Sequence, residues 1–163
     1  MRSMLLKTSI ALALVGSATF ATVTHAVDEY NVGPGLTYVG APLALRGVDP
    51  VAFVEIGNRI PGQARYAVEH DGVAYYFATE SNQKQFKDNP QRYLPQNGGF
   101  CTYGVALGKK FDGDPSYAAV LNKKLYVFLN EGVYREFLKD QQGTIKQADT
   151  QWKKIKHTAA VDL

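Results

Sequence analysis

Asp71-Gly72 stands between two stretches rich in aromatic and β-branched residues, and no other feature constrains the chain as tightly. Asp-Gly is favoured in the two-residue type I′ turn, where both central residues need positive φ. Residues 64–78 are therefore expected to form an antiparallel hairpin. In the simplest register His70 faces Val73, Val68 faces Tyr75 and Tyr66 faces Phe77, and these six side chains share one face. Ala67, Glu69, Ala74, Tyr76 and Ala78 fall on the other.

Further elements follow from local chemistry. Thr79 or Ser81 can cap a short helix from about Ser81 to Asp88, ended before Pro90. Residues 91–104 contain Pro95, Gly98, Gly99 and Gly104, which predicts loop or tightly bent strand. A second hairpin, Tyr117–Leu121 with Leu125–Leu129, turns near Asn122-Lys123. Asn130 can cap a helix to about Asp140, with Val133, Phe137 and Leu138 inward. Thr144 and Gln147 have capping-box spacing. After them Ile145, Ala148, Trp152 and Ile155 make one apolar stripe of a terminal helix. The expected fold class is α+β, a small single domain with antiparallel hairpins and C-terminal helices. No repeat, low-complexity tract or linker is expected to divide it.

The N-terminus carries a different message. Arg2 and Lys7 precede an apolar stretch from Ile10 to Val23, and Thr24-His25-Ala26 places small residues where a signal peptidase reads. Residues 1–26 are expected to be a cleaved signal peptide, since the apolar part falls short of the ~20 residues that span a bilayer. Export to the periplasm or outside the cell follows. Residues 27–46, with Gly33-Pro34-Gly35 and Ala41-Pro42, read as an irregular lead-in arm, and 47–163 as the working domain. Without the leader the chain has sixteen basic and fifteen acidic residues, a net charge of +1. That balance offers nothing to nucleic acid or anionic lipid.

One cysteine, Cys101, allows no internal disulfide, and together with His70 and His157 it is too little for a zinc finger. No nucleophile elbow, phosphate loop or dinucleotide fingerprint is present.

His70, Gly72, Tyr75-Tyr76-Phe77, Phe86, Asn89-Pro90 and Tyr93 stand as they do in the YHS domain, and Asp49-Pro50-Val51 matches the start of that module. The chain resembles the extended, exported version of this family through Pro95–Val105, Asp114-Pro115, Lys124-Leu125-Tyr126 and Ala148–Trp152, a likeness spanning 47–156. Related modules occur in metal-transport ATPases and some multicomponent oxygenases. The metal-associated form carries cysteines at the positions that are Ala52, Ala78 and Asn82 here. The resemblance therefore implies an α+β fold but not metal transfer through those thiolates.

Three residues are the candidate metal ligands. Cys101 lies among glycines that allow close approach, and a thiolate is a soft ligand suited to Cu(I). Free cysteine is equally a common core residue. His70, at the hairpin tip, could ligate a metal or move a proton, or simply finish the core. Asp49 could be a carboxylate ligand, or the ordinary starter of an Asp-Pro turn. Of the ten tyrosines, those at 75, 76, 93, 103, 117 and 126 fit a core whose hydroxyls reach its rim. The leading expectation is a non-catalytic exported module that binds copper or a small ligand near Cys101. The alternatives are a protein-interaction module with Cys101 in its core, and a thiol-dependent redox enzyme. A buried Cys101 separates the interaction module from the other two.

Overall fold

The computed structural model describes residues 29–163, so the expected signal peptide lies outside the described residues. The chain forms α1 (Pro50–Ile56), β1 (Gln63–His70), β2 (Val73–Phe77), α2 (Glu80–Asp88), α3 (Thr102–Ala106), β3 (Asp114–Leu121), β4 (Lys124–Phe128), α4 (Glu131–Lys139) and α5 (Gln141–Ile155). The fold is α+β, a small single domain with two antiparallel hairpins, β1-β2 and β3-β4, and helices at its C-terminal end. No described helix is long and apolar enough to cross a membrane.

Helix α1 is absent from the sequence reading, yet its ends are well marked. Asp49 caps it, Pro50 fills the first turn, where no N–H is needed, and Gly57 ends it at φ 69°. Thr79 caps α2 by accepting the N–H of Asn82, and Asn130 caps α4 by accepting that of Val133. Phe137 is fully buried in α4, but Leu138 is turned outward, because Phe137 with Val133 and Tyr134 already forms the inward line. The Thr144 capping box does not form. Asp140 starts α5 earlier by accepting the Gly143 N–H at 2.9 Å, which leaves Thr144 inside the helix.

The first hairpin turns at Asp71-Gly72, with His70 opposite Val73 and Val68 opposite Tyr75. The predicted pairing of Tyr66 with Phe77 fails. A bulge places Gln63 opposite Phe77 and Ala67 opposite Tyr76, so residues 64–66 are extra on the β1 side. Both faces of β2 are covered, since Ala74 is as buried as Phe77. Ala74 lies beneath the arm: the Ala44 N–H donates to Ala74 O at 2.9 Å and the Ala74 N–H donates to Pro42 O at 2.8 Å. The arm is thus irregular but bridged to β2 by an isolated parallel pair, Leu43 with Ala74, with Ala41, Ala44 and Leu45 in the core.

The second half of the chain repeats the first, contrary to the expectation of no repeat. Leu45, Arg46 and Gly47 have φ of 50°, 50° and 79°; Asn97, Gly98 and Gly99 have 54°, 62° and 79°. Next comes a helix cap, Asp49 or Cys101, whose N–H donates at 2.9 Å to Ile60 O or Phe111 O. In the second hairpin Asp114 faces Phe128, and after a bulge Ala118 faces Val127, as Gln63 faces Phe77 and Ala67 faces Tyr76 in the first. The parallel bridge of Leu43 to Ala74 recurs as that of Pro95 to Leu125. Asn89 and Asp140, which end α2 and α4, share φ near −150° and ψ of 77° and 79°. The displacement is 52 residues as far as the caps and 51 from the loop after the short helix onward. Gly62 and Gly113, Tyr75 and Tyr126, Phe77 and Phe128, and Phe86 and Phe137 are identical pairs. The two repeats share a core, because Leu125 and Val127 pack in one cluster with Phe53, Phe77 and Phe86. Arg46 of the first repeat also pairs with Asp112 and Asp114 of the second, each at 2.6 Å.

Candidate functional site

Asp49 has no exposed surface, and four donors meet its carboxylate. Oδ1 accepts the N–H groups of Val51 at 2.8 Å and Ala52 at 3.0 Å; Oδ2 accepts the Ala78 N–H and the Asn82 side-chain amide, both at 2.7 Å. The knot ties the start of α1 to the end of β2 and the first turn of α2. Ala52, Ala78 and Asn82 are the positions where, by the resemblance, the metal-associated form of the module carries cysteine and this chain departs from it. The fold does bring them together, around Asp49. Alanine offers no side-chain donor atom, and the Asn82 amide is already used, so the residues present do not fit a metal ion at this point.

Cys101 is 1% exposed and packs with Tyr126, Phe128 and Phe137. Its sulfur accepts the Gly104 N–H at 3.5 Å and so caps α3. Burial pushes the thiol up from its ordinary value, against the opposing pull of backbone hydrogen bonds from Gly104, Leu129 and Tyr103. A raised pKa leaves little thiolate at neutral pH, which disfavours both nucleophilic and ligand chemistry. The neighbouring glycines serve another end: Gly98 and Gly99 adopt left-handed φ in the turn before the cap.

His70 lies at the far end of β2 from Asp49. It pairs with Val73, whereas Asp49 holds Ala78, and five residues of strand at ~3.3 Å each separate them by about 16 Å. The imidazole meets the Phe86 ring edge-on with centroids 5.9 Å apart. Its Nε2 is 3.5 Å from an Asp71 carboxylate oxygen but makes no hydrogen bond, since the alignment is poor. Asp49, His70 and Cys101 thus occupy three separate places. Among the described residues no group of three or more His, Cys, Asp or Glu is arranged to hold a metal ion.

The sequence reading missed one feature of the Asp49 site. Asn82 acts as the side-chain partner of Asp49, and its equivalent in the second repeat is Val133, which suits a sulfur that needs no further donor. The clefts lined by Tyr75, by Tyr126 and by Arg46 lie elsewhere, and among the described residues their walls include neither Asp49 nor His70 nor Cys101.

No curated protein and no solved structure matches the chain. The likeness expected from the sequence runs over 47–156; the matched stretch is shorter, beginning within α1 after the Asp49 cap and ending at Asn97, the first residue of the turn that opens the second repeat. Residues 52–97 match the family model of the YHS domain.

Proposed function

We propose that the chain is an exported, non-catalytic binding module that works through its surface, with Cys101 a residue of its core. The observation that carries this reading is the place of the Cys101 sulfur, buried and capping α3. A metal-ligating thiolate needs ready deprotonation and companion donors, and a redox thiol needs exposure and a lowered pKa. Cys101 has none of these. Export to the periplasm or beyond rests on the charged, apolar and small-residue pattern of residues 1–26.

The surface offers contacts of the kind a protein partner uses. Leu36 and Tyr38 are 74% and 67% exposed on a loop held by the Thr37 N–H and hydroxyl, both donating to Ala41 O. Large apolar groups presented on a fixed loop favour association over solvation.

Competition for Cu(I) against a chromophoric chelator tests the reading. Parent protein and Cys101→Ser should leave the chelator equally loaded. A one-equivalent site present in the parent and lost in Cys101→Ser would restore the copper reading and remove this one.

A further inference from the structure

Tyr75 and Tyr126, equivalent in the two repeats, each stand at a surface cleft. The neighbouring wall is equivalent too, with Gln91 and Leu94 in the first cleft and Gln142 and Ile145 in the second. Asp149 borders both. The two have diverged in charge. The Tyr126 cleft, ≈ 460 Å³, carries Lys124 and Lys146. The Tyr75 cleft, ≈ 230 Å³, has no cationic side chain in its wall and gains the rings of Tyr30 and Trp152.

We propose that the Tyr75 cleft binds a small organic ammonium ion, a protonated amine. The wall of this cleft includes three aromatic side chains and one carboxylate, and aromatic rings of Trp and Tyr attract a cation through their quadrupoles. Asp149 is exposed and forms no salt bridge with another described residue. Asn97, in the same wall, is 5% exposed, and its side-chain oxygen has no hydrogen-bond partner. An acceptor of that kind suits a ligand bearing N–H donors. Burial pushes the Tyr75 hydroxyl up, so it stays neutral at the back of the cleft and adds no charge of its own.

A fixed cation, Lys110, lies with its Nζ 5.3 Å from the Trp152 ring centroid. Its charge is met by Glu29 at 3.0 Å and by the carbonyls of Lys156 and Thr158 at 3.2 and 2.6 Å. The indole therefore already accepts one compensated cation. This cleft is separate from Cys101, so its failure would leave the reading of that residue untouched.

Trp152 is the only tryptophan in the chain, and its fluorescence reports on the cleft directly. Titration of the leaderless protein with propylammonium chloride should give a saturable emission change, and sodium propionate should give none. Asp149→Asn, an exposed and nearly isosteric change, should weaken binding about five-fold, as for a partly solvated ion pair. Tyr30→Leu should weaken it as well. Absence of a saturable change with the amine would overturn the proposal. Equal binding of propionate would do the same, as would binding unaltered in both variants.

Discussion

The Asp49 carboxylate and the Cys101 sulfur cap equivalent helices, and each takes backbone hydrogen bonds from its own helix and from the residue just after its own hairpin. For Asp49 these come from Val51, Ala52 and Ala78; for Cys101, from Tyr103, Gly104 and Leu129. One architectural job is done twice, by a charged acceptor in the first repeat and a soft neutral one in the second. Hydrogen bonds to a charged group are worth roughly twice neutral ones. Asp49→Ala should therefore cost about 3 kcal/mol or more, since it also strands buried donors, and Cys101→Ala about 1–2 kcal/mol. Urea unfolding of both variants checks the order. Equal losses would mean that the two caps do not carry different loads.

The second hairpin places Lys123 at φ 62°, where the first has Gly72 at φ 77°. A side chain in the left-handed region costs roughly 1–2 kcal/mol, part of which glycine returns as extra freedom in the unfolded chain. Lys123→Gly should raise stability by about 0.5–1 kcal/mol, measured as a higher urea midpoint with an unchanged slope.

Gly62 and Gly113 each lie against the equivalent strand residue, Tyr76 and Val127, and Gly113 meets Gly99 as well. A Cβ on Gly62 would lie 2.4 Å from the Tyr76 carbonyl carbon, and one on Gly113 2.2 Å from Gly99 O and 2.5 Å from a Val127 methyl. Backbone cannot yield as a flexible side chain does. Alanine at either position should cost about 1–3 kcal/mol by overpacking, and the two losses should be similar.

How much of this was legible in the sequence varies with how local the cause is. The turns at Asp71-Gly72 and Asn122-Lys123 and the caps Thr79 and Asn130 are local, and all stand where the sequence places them. Helix α1 was readable too, from Asp49, Pro50 and Gly57 together, but its run of buried apolar residues on every side hides the helical period. The bulge in β1 follows a close backbone crossing at Gly62, and no local pattern announces either. The repeat is written mainly in hydrogen bonds and backbone angles, with few identical residues, so the sequence conceals it. Cys101 is ambiguous for the same reason: glycines beside it are consistent with an exposed thiol, and only the fold shows that they shape the turn into α3.

Alkaline pH should weaken the fold. Burial raises the Cys101 thiol and the hydroxyls of Tyr75, Tyr93 and Tyr126 above their ordinary values; Glu55 adds to the effect at Tyr93 and Asp149 at Tyr126. These groups hold their protons longer when folded than when unfolded. The stability they contribute is complete below the unfolded-state values, and is lost as pH climbs from roughly 9 through the folded-state values. Urea midpoints at pH 7 and above pH 10 should show the fall; a flat profile would contradict the burial of these groups.

The thiol itself decides the central claim. With Ellman's reagent at neutral pH, native protein lacking residues 1–26 should react at a small fraction of the rate of a free thiol, and release a full equivalent only when urea unfolds it. Cys101 would then be the core residue that caps α3, and the module would work through its surface. Full and rapid release from the native protein would show an exposed, ionised sulfur and contradict the account.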